Sequence, residues 1–181
     1  MLQFKFFIVI SLILFALAIL LCFLFPYFVG APFEPMPKSI ILKIPKFARL
    51  KKSDKIVDLG SGKGDVLVEL AKKGYNIVGY EINPFLFLYT KLRLKLLEIK
   101  NAKVYFGNFW NKDLSQFNVV IVFQIGYIMN KLEKKLRREL DNSKVISYYW
   151  KFKGLKEKKV DESGRMHLYL VNEKRKEKKI K

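Results

Sequence analysis

Three glycines lie close together between two short apolar runs in the stretch 55–83. Gly60, Gly62 and Gly64 allow a backbone that turns with positive φ or passes close to a ligand. Glu81 ends the second apolar run, and a carboxylate in that position can accept hydrogen bonds from the hydroxyls of a ribose. The stretch therefore predicts a strand, a glycine loop, a helix and a second strand around a nucleotide-like ligand. A glycine turn without a ligand is the structural alternative.

The charges beside the glycine loop distinguish between two ligands of this kind. A dinucleotide fingerprint is G-x-G-x-x-G, and its loop holds a pyrophosphate at a helix N-terminus. Here the order is G-x-G-x-G, with Asp58 before it and Asp65 after it. Two carboxylates would repel a pyrophosphate, whereas they suit a ligand with a cationic amino-acid end, such as S-adenosylmethionine. A phosphate-binding P-loop is excluded because neither Gly-Lys-Ser nor Gly-Lys-Thr occurs.

The order D-x-G-x-G-x-G over residues 58–64 resembles the first motif of class I S-adenosylmethionine-dependent methyltransferases. The resemblance implies that the glycine loop binds the methionine end of the cofactor and that Glu81 binds the ribose. It also implies that Asn108 contacts the adenine amino group, and that Phe109 packs on the adenine ring unless it is ordinary core. The expected cofactor-binding residues are Asp58, Gly60, Ser61, Gly62, Gly64, Glu81, Ile82, Asn83, Asn108 and Phe109.

Composition limits the possible classes of function. The 181 residues carry a formal net charge of +19, which would draw the protein to an anionic surface of phospholipid or nucleic acid. No nucleic-acid motif is recognisable, so we expect the membrane rather than a nucleic acid as partner. Cys22 is the single cysteine and His167 the single histidine, which excludes an internal disulfide framework and makes us expect no metal site.

The N-terminal segment is long and apolar enough to cross a bilayer. Residues 6–25 are almost wholly apolar, and about 20 residues of helix span the hydrocarbon core. A cleaved signal peptide and a buried core helix are the alternatives, and we expect the helix to end at Pro26. Basic residues follow the segment far more than they precede it, which predicts that the rest of the chain faces the cytoplasm.

The remaining pattern alternates strands with helices. Strands are predicted at 56–59, 77–80, 104–106, 118–126 and 145–150, with helices at 65–73, from 84 to about 100, and at 127–140. Only a short connection follows the fifth strand, so we expect an antiparallel hairpin of 155–160 and 166–171 in place of a last crossover helix. The predicted fold is an α/β, Rossmann-like class I methyltransferase sheet, mostly parallel, preceded by one transmembrane helix.

Four segments make up the predicted organisation: an anchor (1–30), a proline-containing and basic juxtamembrane segment (31–54), a methyltransferase domain (55–172) and a basic tail (173–181). Residues 39–50 should pack on the sheet edge or face the membrane, broken at Pro45. The helix from Pro84 is unusually apolar over 85–89, and core packing is favoured over contact with the bilayer or a membrane-embedded partner. We expect His167 to be packed or on the surface rather than a catalytic base.

Residues that would hold a methyl acceptor are harder to define. The proline-rich strip 31–37 is either a spacer or a strip that crosses the mouth of the cofactor site. The carboxyl end of the fourth predicted strand should open into the same crevice as the glycine loop, because ligands of open α/β sheets bind outside the carboxyl ends of strands. The predicted acceptor channel consists of Phe33, Glu34, Gln124 and Tyr127, and the last three are the candidate catalytic residues.

The chain from about 32 to 150 resembles a more specific group of methyltransferases. PFEP after the apolar segment, VDLGSGKGD, GYEINP and GNFW are similar to the membrane-anchored lysine methyltransferases that modify the ATP synthase c-subunit and the adenine nucleotide translocase, and to their prokaryotic relatives. Asn108 stands where Asp is expected, and 123–126 departs from the expected hydrophobic-Leu-Pro sequence. The resemblance implies methylation of a lysine of a membrane protein. Methylation of a lipid or small molecule, a non-enzymatic nucleic-acid binder and a degenerate cofactor-binding scaffold are the alternatives.

Overall fold

The structure is a computed structural model that describes residues 2–29 and 34–171. The chain divides into two compact units, residues 1–33 and residues 34–181, and each is described by itself. Phe33, which the sequence places in the acceptor channel, lies outside the described residues, as does the basic tail.

The first unit contains one long helix, α1 (Leu2–Val29). Its segment Gln3–Leu21 has a mean hydropathy of 2.8, and none of that segment is buried, so the helix is long and apolar enough to cross a membrane. The helix continues past Pro26, where the sequence analysis expects it to end. That expectation is wrong because a proline removes one backbone hydrogen bond without always ending a helix.

The second unit is built on a seven-stranded sheet of order β3-β2-β1-β4-β5-β7-β6. Its strands are β1 (Ile56–Leu59), β2 (Ile77–Glu81), β3 (Ala102–Phe106), β4 (Val119–Val122), β5 (Ser143–Tyr148), β6 (Glu157–Val160) and β7 (Met166–Val171). The other helices are α2 (Lys38–Phe47), α3 (Asp65–Lys72), α4 (Pro84–Leu96) and α5 (Gly126–Glu139), and a 3-10 turn spans Phe109–Asn111.

The strand order confirms the predicted fold class. Strands β1 to β5 are parallel, whereas β7 runs antiparallel between β5 and β6. The predicted hairpin is therefore present, and residues 149–156 connect β5 to β6 without a helix. The strand order reverses beside β1, because β2 lies on one side of it and β4 on the other. The carboxyl ends of β1 and β4 border the crevice where ligands bind in open α/β sheets.

Two hydrophobic clusters fill the unit. One contains Ile41, Ile44 and Phe47 of α2, residues of α3, and Met166 and Leu168 of β7. The other contains Leu132 and Leu136 of α5 together with Val57, Leu59 and Tyr169. Since successive strand residues point to opposite faces, the two clusters lie on opposite faces of the sheet.

Helix α2 packs into the core, which agrees with the first of the two placements expected for residues 39–50, packing on the sheet, rather than with facing the membrane. Its apolar residues recur at helical spacing on one face, and Lys38 Nζ forms an ion pair with Glu69 Oε1 of α3 at 2.9 Å. The helix is not broken at Pro45, which lies inside it. His167 is packed as expected: it is buried in β7, with Nδ1 2.6 Å from Glu157 Oε1.

Helix α4 contradicts the preference for core packing of its apolar start. Thr90 and Leu94 are its buried residues, whereas most of its other apolar side chains are exposed. The reason is position, because α4 covers β2 and the edge strand β3 with one face only. The exposed apolar side chains of α4 are Phe85, Leu88, Tyr89, Leu92 and Leu96.

Candidate active site

The glycine loop adopts the backbone that its sequence predicts. Gly60, Gly62 and Gly64 have φ values of 79°, 56° and 75°, in the left-handed region that favours glycine. The amides of Gly60 and Ser61 both donate to the carbonyl of Tyr80 at 3.0 Å, which fixes the loop across the end of β2. Gly64 then precedes the first turn of α3, and its amide donates to the carbonyl of Ser61 at 2.8 Å.

Glu81 is a buried acid that holds this loop from the end of β2. Its Oε2 accepts a hydrogen bond from the Gly62 amide at 2.7 Å, and its Oε1 accepts one from the Asn83 amide at 2.8 Å. Burial raises the pKa of Glu81, and the backbone hydrogen bonds lower it in part. The carboxylate is thus oriented by two amides, and each oxygen keeps accepting capacity for ligand hydroxyls.

Asp58 is buried on β1, immediately before the loop. Burial raises its pKa to about 7, with smaller contributions from the charges of Glu81 and Asp65. A carboxyl group in this state gains from a nearby cation, because the cation stabilises the charged form. Asp65 is already ion-paired, since its Oδ1 accepts from Arg93 Nη1 at 2.7 Å. Asp58 is therefore the better of the two predicted carboxylates for a cationic ligand group.

Two residues of α4 that the sequence analysis missed support the loop from outside. Thr90 is fully buried, and its Oγ1 donates to the carbonyl of Gly62 at 2.8 Å. Arg93 Nη1 donates to the carbonyl of Lys63 at 2.8 Å. A Cβ on Gly64 would lie 2.5 Å from Thr90 Cγ2. The available signal was Thr90 itself, a small polar residue inside the apolar run FLFLYTKL.

Gln124 faces the glycine loop from the carboxyl end of β4. Its Nε2 donates to the carbonyl of Leu59 at 2.6 Å, and a Cβ on Gly60 would lie 2.6 Å from the same nitrogen. Its Oε1 is buried and has no hydrogen-bond partner among the described residues, and the same holds for Ser61 Oγ. Buried polar atoms are normally paired. Gln124 Oε1 therefore fits a polar ligand such as the amino-acid end of S-adenosylmethionine, whereas Ser61 Oγ lies against Gly79 of β2.

Asn108 and Phe109, the residues predicted to contact the adenine, make other contacts in the fold. Asn108 Oδ1 accepts from the Trp110 amide at 3.0 Å and so caps the 3-10 turn, although a carbonyl oxygen has a second lone pair. Phe109 is buried in the cluster around α5, with its ring 4.9 Å from that of Trp110, which agrees with the alternative of ordinary core packing. The Gly107 amide donates to the carbonyl of Glu81 at 2.8 Å and brings this turn to the end of β2.

Of the remaining predicted cofactor residues, Asn83 has a structural role. Its Oδ1 accepts from the amides of Phe85 and Leu86, at 2.9 and 3.2 Å, and caps α4 as its sequence position indicates. Ile82 is half-buried between Glu81 and this cap. We call Asp58, the glycine loop 60–64, Glu81 and Gln124 the cofactor side of the crevice, a label for the role that is proposed below.

An exposed aromatic group follows the carboxyl ends of β4 and β5. Trp150 lies against the start of α5, where a Cβ on Gly126 would be 2.8 Å from its Cζ3. The Tyr149 ring lies 5.6 Å from that of Trp150, and Tyr149 has a φ of 76°, unusual for a bulky residue. Tyr127 in the first turn of α5 is 68% exposed. We call Tyr127, Tyr149 and Trp150 the acceptor side, a label for the role that is proposed below. The sequence analysis did not single out Tyr149 or Trp150.

No contact among the described residues joins Glu34 to Tyr127, Tyr149 or Trp150. Glu34 is exposed at the first described residue of its unit and makes no hydrogen bond or ion pair with the other described residues. Gln124, in contrast, belongs to the cofactor side by its contacts. Of the predicted acceptor channel, the structure therefore places Tyr127 beside other exposed aromatic residues.

Comparison with known proteins agrees with this geometry. A model of the ANTKMT methyltransferase domain matches residues 58–159. The human lysine N-methyltransferase of the ATP synthase c-subunit is 37% identical over 123 residues, which cover 67% of this chain and 52% of that protein. A protein-lysine N-methyltransferase of Saccharolobus islandicus is 29% identical over 163 residues, which cover 81% of this chain and 98% of that protein. The chain thus spans about half the length of the human relative.

A solved structure shows the same fold. The RNA methyltransferase from Salinibacter ruber, in complex with S-adenosyl-L-homocysteine, superposes with a TM-score of 0.73 at 24% identity, over 77% of this chain and 95% of that one. The sheet order, the positive-φ glycine loop and the acid at the end of β2 define a class I methyltransferase, whose cofactor is S-adenosylmethionine. Within that class, the chain belongs to the ANTKMT methyltransferase domain family.

Proposed function

We propose that this protein transfers a methyl group from S-adenosylmethionine to a lysine side chain of a membrane protein. The observation that carries the proposal is the cofactor side, where a buried acid and three positive-φ glycines occur in a chain of this family. Two relatives named as lysine methyltransferases, one of which matches over 98% of its length, support lysine as the acceptor. The ATP synthase component in the name of the human relative supports a membrane protein.

We assign the cofactor side as follows. Asp58 would pair with the ammonium of the methionine end, and the burial that raises its pKa would favour that pairing. The glycine loop would approach the ligand with its backbone, because no Cβ lies in the way. Glu81 would accept from the ribose hydroxyls, and Asn108 would offer its second lone pair to the adenine amino group. When bound, S-adenosylmethionine supplies a methyl group on a cationic sulfur, which an amine can attack.

The acceptor side would receive the lysine. Cation–π interactions stabilise an ammonium group that lies over an aromatic face, and the aliphatic part of a lysine packs on such a face. Tyr127, Tyr149 and Trp150 offer such faces at the carboxyl ends of β4 and β5. A lysine must lose its proton before it can act as a nucleophile, and a desolvated position lowers its pKa. The lysine would lose its proton to solvent as it enters, and the main contribution of these residues would then be to align the amine and exclude water.

We further propose that α1 anchors the enzyme in a membrane, with the second unit facing the cytoplasm. Its length and hydropathy fit a span. The positive charges that follow it in the sequence, from Lys38 to Lys55, support that orientation. Tethering would hold the acceptor side near the ends of membrane-embedded proteins and so raise the local concentration of such acceptors.

The test uses the full chain in native membranes with radiolabelled S-adenosylmethionine. We expect label in membrane protein, recovered after hydrolysis as methylated lysine. Label in extractable lipid or in RNA, with none in protein, would contradict the lysine assignment. Glu81→Ala should abolish both cofactor binding, measured by calorimetry, and labelling. The matched control Glu162→Ala removes an exposed acid of the β6–β7 turn and should change neither. Resistance to alkaline extraction tests the anchor separately.

A further inference from the structure

The outward side of α4 is apolar and exposed. Phe85, Leu88, Leu92 and Leu96 are 42%, 58%, 55% and 74% exposed. They recur at intervals of three and four residues, which places them in one row along the helix. With Tyr89, which is 51% exposed, we call these residues the outer face of α4.

The apolar surface extends onto the edge of the sheet. Phe106 of β3 is 54% exposed, and its ring lies 5.6 Å from that of Phe87 on α4. Tyr105 points to the opposite face of the sheet, where its ring lies 6.1 Å from that of Tyr80. Strand β3 is the edge strand, so the described sheet does not continue past this surface. Large contiguous apolar patches are uncommon on soluble monomers and mark contact sites for proteins or membranes. Six exposed apolar residues in one region, five on α4 and Phe106 on β3, therefore indicate a contact surface.

Cationic side chains border this surface. Lys91, Lys95 and Lys100 are all exposed, and Lys91 Nζ lies 5.7 Å from the centre of the Phe87 ring. Glu98 is the single acidic residue in the range 84–106. A second copy of the chain would oppose lysines to lysines, whereas an anionic bilayer offers both an apolar interior and negative headgroups. Lysines at such a boundary can extend their ammonium groups to the headgroups.

We propose that the outer face of α4 docks on an anionic lipid bilayer. Its apolar row would enter the boundary between headgroups and acyl chains, and its lysines would contact phosphate groups. The docking itself does not require the proposed function. Only its purpose rests on that function, namely to set the height of the cofactor side above the membrane.

The test removes the anchor, so that its result is independent of α1. Residues 34–181 contain both hydrophobic clusters in full, and none of the described side chains of α1 is buried. We expect this domain to float with vesicles of phosphatidylcholine and phosphatidylglycerol, and less with phosphatidylcholine alone. Leu92→Glu and Leu96→Glu should each lower the bound fraction about tenfold. The matched control Leu170→Glu, which adds the same charge at a 39%-exposed leucine of β7, should bind within about twofold of wild type.

Several outcomes would overturn the proposal. The first is that the wild-type domain does not float with the vesicles. The second is that Leu96→Glu and Leu170→Glu lose equal fractions of vesicle binding. The third is that the wild-type domain forms a concentration-dependent dimer, which Leu96→Glu abolishes, and does not float. Calorimetry with S-adenosylmethionine on the same samples separates this proposal from the proposed function. Lost flotation with retained cofactor binding refutes docking alone, whereas flotation without cofactor binding refutes the methyltransferase assignment alone.

Discussion

On the cofactor side of the crevice, Asp58 and Glu81 are buried and the loop between them is fixed by hydrogen bonds to Tyr80, Thr90 and Glu81 itself. On the acceptor side, Tyr127 and Tyr149 are 68% and 58% exposed. The first region holds its shape before any ligand arrives, whereas the second presents apolar rings to water.

This difference corresponds to two demands. A cofactor is the same molecule in every catalytic cycle, so its site can be preformed during folding. A protein acceptor, as proposed above, would bring its own surface and would cover the exposed rings when it binds. Substitutions on the cofactor side should therefore change cofactor affinity and stability together, and substitutions on the acceptor side should change acceptor recognition alone.

The largest effect is expected from Asp58→Asn. Loss of a buried charge partner for the ammonium should weaken S-adenosylmethionine binding by about 100-fold, on the order of 3 kcal/mol, measured by calorimetry. The same variant should be more stable than wild type near neutral pH. Equal affinity in the variant would remove Asp58 from the site.

The stability difference of Asp58→Asn has a defined pH dependence. The folded protein holds the Asp58 proton up to about pH 7, and the ordinary pKa is 3.8. Between these values the folded state binds more protons than the unfolded state, so wild-type stability falls as pH rises. The advantage of the variant should grow from about pH 4 to about pH 7 and then level off, reaching about 1–4 kcal/mol in denaturant titrations. A constant difference would contradict the raised pKa.

A second, smaller effect is expected from Gly64→Ala. A residue with a Cβ at a φ of 75° costs about 1 kcal/mol, and the contact with Thr90 Cγ2 should raise the loss to about 2–3 kcal/mol. Thr90→Ser removes that methyl group and keeps the hydroxyl, so it should recover part of the loss. The matched control is Gly164→Ala, with a φ of 70° and nothing within 4 Å, and it should lose only about 1 kcal/mol. Equal losses would exclude the Thr90 contact.

Trp150→Ala tests the acceptor side. We expect the KM for the protein acceptor to rise about tenfold, with the affinity for S-adenosylmethionine within about twofold of wild type. Trp150→Phe keeps an aromatic face and should recover most of the loss. A parallel loss of cofactor affinity would show that the two sides are not independent.

The smallest effect is expected from Arg93→Met. Its pair with Asp65 is partly exposed, with 27% and 35% of the two side chains accessible, so stability should fall by less than about 1 kcal/mol. Loss of its hydrogen bond to Lys63 should weaken cofactor binding about threefold. Arg138→Met, which breaks an ion pair of a 74%-exposed arginine on α5, should leave cofactor binding unchanged.

The sequence predicted what is local in the chain. Strand β1 has its predicted bounds, and Asn83 caps α4 as its position before Pro84 indicates. The glycine loop was recognisable because its φ values admit few residues other than glycine. The fold class followed from the alternation of strands and helices, and the final hairpin from the short connection after β5.

The sequence did not predict what depends on distant partners. Thr90 reaches Gly62 across 28 positions, and no periodicity marks that contact. The apolar start of α4 resembles a core helix because a sequence records hydrophobicity but not whether a further layer covers it. The sequence pattern predicts that Tyr149 and Trp150 end the fifth strand, whereas β5 ends at Tyr148. The exposure of these two rings could not be predicted, because it depends on how the chain after β5 packs against α5.

The packing of α2 against the last strands has a consequence for biosynthesis. Lys159 Nζ lies 4.8 Å over the Phe47 ring and donates to the Phe47 carbonyl, 112 positions away. Strand β7, which supplies Met166 and Leu168 to the same cluster, lies between β5 and β6, so the sheet is complete only when it is added. Non-local pairing of this kind slows folding. On the ribosome, α1 emerges before the second unit, and that unit cannot close until β7 has been translated.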